Sequence, residues 1–273
     1  MRVIAGRTTT PSELPIESAV ASAISFNMLR IDNNSPLRKP PLPISERQIV
    51  LLDGIRFSAD MAGIAIDRLW RQLCFFDSTE EEIKNYHIAE AALDAWSIID
   101  AAHRMSDLVE NLSGLPNSDW RRLFQQRVAD ALGLRDMWQH QVGEAAKVVA
   151  ERGQAWGALA WVKHEGHQPT GRWFLAAVGS DFKGSNWTFA GPAAAVPRVS
   201  TRRIRLIHLG KSVYLARLVR DMFEAIACLE EDVGNSRLRC VGEPVNQERP
   251  SDWIIESSMI AVVSTETPQS PGP

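Results

Sequence analysis

The chain has 273 residues, 45% hydrophobic and 23% charged, with a formal net charge of −3. That balance is ordinary for a globular chain and excludes a uniformly basic nucleic-acid coat, although it leaves local basic patches open. No apolar run approaches the roughly 18 residues that span a bilayer, which argues against any membrane partner. The N-terminal "MRVIAGRTTTPSELPIE" meets Thr, Pro and acids too early for a signal peptide. Cys74, Cys228 and Cys240 lack CxxC or finger spacing, so they read as free thiols in a reducing, cytoplasmic compartment.

Residues 1–44 read as an irregular, Pro-rich arm ending in "SPLRKPPLPIS". Its prolines at 36, 40, 41 and 43 forbid a helix and favour an extended, polyproline-like path. From Ser45 and Glu46 a long helix is expected, with Ile49, Leu52, Ile55 or Phe57, Ala62, Ile66, Leu69 and Leu73 at helical spacing. "DSTEEE" (77–82) carries cap residues followed by acids and predicts the start of a second helix running to about Asn111. Ile88, Ala92, Ala95, Ile99, Ala102 and Met105 or Val109 give its apolar stripe. "SGLPNSD" (113–119) predicts a loop; a third helix is expected over Trp120–Ala131 and a fourth from near Leu134 to about Arg152. Gly133 marks either a break between those two or a kink.

Beyond Gly153 the period changes. "AWGALAWVKH" and "GRWFLAAVGS", separated by "EGHQPT", predict a β-hairpin of 155–163 with 172–178. "TRRIRLIHL" (201–209) predicts a third strand, 212–233 a helix, and "WIIESSMIAVV" (253–263) one more strand before a disordered tail at 265–273. The expected architecture is mainly α: a helical bundle over 45–152 with a smaller C-terminal α+β appendage over 153–264.

The polar group in "GLRDMWQHQVGEA" stands out. Four helical residues turn about 400°, so Asp136 and His140 share a face, where a carboxylate can orient an imidazole for acid/base work. Arg135 and His140 are five apart, about 140° around the axis and about 7.5 Å along it, so one helix does not converge them on one atom. They serve a common site only if a second copy of the helix faces the first or the helix is distorted. The alternative is a set of polar positions flanking Met137 and Trp138, which pack inward.

"RDMWQH" (135–140) resembles the R-x4-6-H signature of HEPN domains, in which a polar residue commonly follows the Arg. The preceding "AALDAWSIIDAAHRMSDLVENLSGLP" resembles the second helix of bacterial HEPN-like proteins, and the likeness spans about 46–152. What it implies is an up-and-down four-helix bundle that forms a homodimer, with two R-x4-6-H helices facing each other. Nuclease members cut RNA without metal or cofactor, by attack of the ribose 2′-hydroxyl on the adjacent phosphate. Carried over, His140 is the acid/base group, Arg135 binds the scissile phosphate and Asp136 orients them. Such proteins include toxins and defence effectors with a partner protein or antitoxin, whereas other members are scaffolds. The toxin subgroup paired with a nucleotidyltransferase has Tyr two positions after the His; Val142 stands there instead, so that pairing is not expected.

Between Asp181 and Asp221 there is no acid, while Lys183, Arg198, Arg202, Arg203, Arg205, Lys211, Arg217 and Arg220 all fall inside. Arg202, Arg203, Arg205 and Lys211 are the candidate RNA-phosphate contacts, with Trp173 or Trp187 as a stacking surface. The alternative is that these cations pair with the acids of "LEEDV" (229–233) and of the bundle. Asp100, Arg104 and Asp107 form a polar stripe of intrahelical pairs, or Asp100 and Arg104 support the His140 site from across the bundle. His164 and His167 lack the ligand company of a metal site, and no P-loop is present. Three functions compete: a metal-independent endoribonuclease, a non-catalytic dimeric scaffold or nucleic-acid and partner-binding module, and a nucleotide-binding regulator that uses Arg135 on a phosphate without hydrolysis.

Overall fold

The computed structural model describes residues 29–40, 43–78, 85–150, 155–164, 171–179 and 204–245. Its elements run α1 (Glu46–Ser78), α2 (Asn85–Asn111), α3 (Asp119–Gln139), α4 (Gln141–Ala150), β1 (Ala158–His164), β2 (Gly171–Ala177), β3 (Arg205–His208), β4 (Lys211–Tyr214) and α5 (Leu215–Gly234). The fold is mainly helical with a small antiparallel sheet in its C-terminal part, as expected.

A reciprocal cap starts α1. The Gln48 Oε1 accepts from the Ser45 backbone N–H at 3.1 Å, and the Gln48 N–H donates to the Ser45 Oγ at 3.4 Å. Two orphan donors are thereby satisfied, the S-x-x-Q form of a capping box. The Gln48 side-chain amide then donates to the carbonyls of Ser113 and Arg239 at 3.0 and 2.8 Å. One fully buried side chain thus joins the head of α1, the α2–α3 loop and the chain after α5.

Leu52, Ile55, Ala59, Ala62, Ile66, Leu69 and Leu73 are buried along α1, the spacing of three and four that presents one helical face. They meet Ala91, Ala95, Ile98, Ile99, Ala102, Met105 and Val109 of α2 in one hydrophobic core. Alanines at the α1–α2 seam bring the two backbones close. The Pro-rich arm contributes as well: Ile31 and Leu37 are buried in the same core, and the Ile31 N–H donates to Asp60 at 2.9 Å.

α5 buries Leu215, Leu218, Val219, Met222, Ala225, Ile226, Leu229 and Val233 against this core. It packs on α1, α2 and α3, so the core passes from the bundle into the C-terminal part. The sheet has the order β2-β1-β3-β4, antiparallel throughout. Leu209 and Gly210, both at positive φ (44° and 73°), form the two-residue turn that pairs His208 with Lys211.

Three expectations shift. Residues 77–78 complete α1 rather than opening the next helix, which begins at Asn85. Gly133 neither breaks nor ends its helix: α3 runs through it because Ala131 and Leu134 on either side are buried. The interruption falls at His140 instead, whose φ of −95° and ψ of 25° leave the helical region. Residues 211–214 pair with β3 as a strand, so the last helix starts at Leu215. The expected strand at 253–263 and the tail lie outside the described residues.

One buried group opposes the fold at neutral pH. Asp94 on α2 is 2% exposed, and burial pushes its carboxyl up to about 6, only partly offset by Arg68 at 3.4 Å. A carboxyl whose folded value is raised contributes its full stability below the unfolded value of 3.8 and loses it as pH climbs through about 6. Asp94→Asn is therefore expected to stabilise the chain at pH 7.5 by about 1–2 kcal/mol, discounting for the exposed Arg68 partner. The gain should vanish at pH 3, and urea denaturation of both proteins at the two pH values checks it.

Candidate functional site

The three residues of the candidate motif occupy the last turn and a half of α3 and separate into different environments. Arg135 is half-buried and turns toward α2, whereas Asp136 and His140 are exposed. The Arg135 Nη1 lies 3.1 Å from the His103 Nε2, and its Nε lies 3.7 Å from the Asp100 Oδ1. Asp100 also accepts from the Arg104 Nε at 2.7 Å, and the His103 Nδ1 lies 3.1 Å from Asp107. The polar stripe of α2 is thus an intrahelical network, and it reaches across to hold Arg135.

His140 caps α3: its backbone N–H donates to the Asp136 and Trp138 carbonyls. Asp136 and His140 share a face, yet among the described residues no side-chain hydrogen bond or ion pair joins them. Arg135 is turned to α2 while His140 is exposed past the end of α3, and among the described residues no hydrogen bond or ion pair joins the two.

Met137 and Trp138 pack inward between these polar positions. Trp138 stacks on Trp96 of α2 with ring centroids 5.2 Å apart and planes 18° from parallel. Trp156, just before β1, lies 5.9 Å from Trp138, and its carbonyl accepts from the Trp96 indole N–H at 3.2 Å. These rings edge a cleft of about 620 Å³ whose apolar wall includes Leu93 and whose polar end is Asp100, Arg104 and Arg135. The volume is that of a small-molecule site.

The basic segment is only partly described. Arg202 and Arg203 lie outside the described residues, as do Lys183, Arg198 and Trp187; Trp173 lies on β2 with its side chain undescribed. Arg205 places its guanidinium over the Tyr214 ring, 4.4 Å from the centroid, and donates to the Tyr214 hydroxyl. Lys211 is exposed on β4 beside Gly133 of α3. Arg217 and Arg220 pair with Asp221 and Glu224 on their own helix, not with the 229–233 acids. Those acids serve elsewhere: Asp232 accepts from the Trp120 indole at 2.9 Å and pairs with Arg237.

Sequence reasoning missed His103 and Trp156. His103 lies in the same helix as Asp100 and Arg104, so a helical wheel places it beside them; Trp156 carries no local signal, because a fold-level return of the chain brings it to α2. Among the described residues no cluster of metal-ligating side chains forms, and no helix is long and apolar enough to cross a membrane. Comparison with known protein families, characterised proteins and solved structures finds no match.

Proposed function

We propose that the chain is an HEPN-like, metal-independent endoribonuclease that works as a homodimer, of the kind used as toxins or defence effectors. The reading is carried by Arg135, which Asp100 and His103 hold at the polar end of a cleft while His140 stands exposed at the end of the same helix. A guanidinium fixed by a carboxylate and an imidazole is pre-oriented for a phosphate. A second α3, running against the first, supplies the missing imidazole. The ribose 2′-hydroxyl then gives its proton to a base and attacks phosphorus. The 5′-oxygen leaves with a proton from an acid, yielding a 2′,3′-cyclic phosphate and a 5′-hydroxyl.

The test is cleavage of a mixed-sequence RNA by the purified chain in excess EDTA. Cyclic-phosphate ends and resistance of 2′-deoxy substrates are expected. Loss of activity in EDTA, or cutting of the 2′-deoxy substrate, contradicts the chemistry.

One observation favours a second reading, the non-catalytic RNA-binding module: Arg135 is already engaged within its own chain. Phosphate contacts then fall to the basic segment, with Arg202, Arg203, Arg205 and Lys211. That reading predicts salt-sensitive RNA binding, weakened by Arg203→Ala and Lys211→Ala, without any product.

A further inference from the structure

The cleft beside Arg135 has features that phosphate-backbone contact does not require. Its wall is largely apolar and carries three indole rings, Trp96 of α2, Trp138 of α3 and Trp156 of the turn before β1. Its charged groups gather at one end. Of the groups lining it there, two guanidiniums, Arg104 and Arg135, share the single carboxylate of Asp100, one positive charge in excess on the wall, while Asp107 lies outside the lining and pairs with His103. The Arg135 Nε is buried and takes no hydrogen-bond acceptor among the described residues, since Asp100 stands 3.7 Å away. An atom closed to water is closed to a ligand, so what an anion in the cleft meets is the Arg104 side chain, 63% exposed, and the 20% of the Arg135 side chain that reaches the surface.

We propose that the cleft is a binding site for a small aromatic monoanion, a flat apolar body bearing one carboxylate. The ring system lies along the tryptophan and Leu93 wall, where aromatic faces and edges give offset or tilted contacts. The carboxylate meets Arg135 and Arg104, and its single charge matches the single excess. A nucleotide fits less well: its phosphate is dianionic, and its ribose finds few polar groups on this wall. The inference goes beyond RNA chemistry and stands or falls separately, because binding can be read with no RNA present.

The experiment is calorimetric titration of the full chain with 2-naphthoate, its neutral isostere 2-naphthamide, and AMP. Naphthoate should bind at least about tenfold more tightly than naphthamide, the worth of a charge-assisted hydrogen bond. Arg135→Ala should remove that preference while leaving naphthamide binding in place. Leu93→Glu provides a variant that spares the core, since Leu93 is 60% exposed; it should weaken naphthoate by more than naphthamide. Equal affinity for acid and amide, or no binding of naphthoate at about 1 mM, overturns the proposal. So does an AMP affinity above that of naphthoate, which assigns the cleft to nucleotides. Cleavage of RNA by a chain that ignores naphthoate leaves the ribonuclease reading intact and removes only this one.

Discussion

His140→Ala is expected to lower RNA cleavage by about 10³-fold, the middle of the range for a general acid or base, while leaving the melting temperature unchanged. The structural half of that expectation follows from position. His140 is exposed at the C-terminal cap of α3, and the backbone N–H that bonds to Asp136 and Trp138 survives the substitution. A loss of activity in a fully folded protein therefore reports chemistry. Arg135→Ala should cost about 10²–10³-fold through lost stabilisation of the developing phosphate charge. It also removes a link between α2 and α3, so it should lower the melting temperature as His140→Ala does not. Single-turnover cleavage of a 5′-labelled RNA, run beside thermal melts of each variant, separates the two effects. A His140→Ala protein cutting at the parental rate contradicts the catalytic assignment.

The largest effect on stability is expected at Gly114, the turn after α2. Its φ is +87°, a region that L side chains rarely adopt, and a Cβ there would run into the carbonyl oxygen of Arg239. The same methyl would stand 2.9 Å from the Gln48 Nε2, the atom that joins α1, this loop and the chain after α5. The Arg239 N–H meanwhile donates to the Gly114 carbonyl at 2.9 Å, so the segments cannot move apart without breaking that bond. Backbone strain and the lost hydrogen bonds together should cost about 3 kcal/mol in Gly114→Ala. For a chain of this size that is a fall of about 5 °C in Tm. Gly143→Ala is the matched control: nothing lies within 4 Å of its Cβ, and it sits in α4. It should stabilise by about 0.5–1 kcal/mol. Equal Tm values for the two variants would contradict the role given to the Gln48 junction.

Where the sequence was readable, local physics and tertiary packing agreed. Leu52 to Leu73 keep strict helical spacing, and Ser45 with Gln48 holds α1 at its start, so the long first helix was legible residue by residue. Its far end was not, because Asp77 and Ser78, which look like cap residues for the next helix, still belong to α1. Gly133 costs a helix only about 1 kcal/mol, less than the burial of Ala131 and Leu134 returns. His140, where the helix does stop, has neither Gly nor Pro beside it. The strand at 211–214 is four residues long and continuous in pattern with the helix after it; only pairing with β3 distinguishes them.

For the site, the motif residues and the supporting pair Asp100 and Arg104 could be named from spacing, and the structure brings Arg135 to Asp100. The cleft could not be named. Trp96, Trp138 and Trp156 meet through contacts distant in sequence, up to 60 residues for the Trp96 indole on the Trp156 carbonyl, and no local period encodes them.

The central proposal is that two copies of α3 build one reaction site, since Arg135 of one chain is turned to Asp100 and His103 while His140 stands exposed beyond it. It is tested most directly by mixing Arg135→Ala subunits with His140→Ala subunits, each nearly inactive alone, and allowing them to exchange. A composite site predicts recovery of roughly a quarter of the parental cleavage rate, since half the dimers are mixed and each holds one intact Arg–His pair across a two-fold interface. No recovery from subunits shown to have exchanged would contradict it.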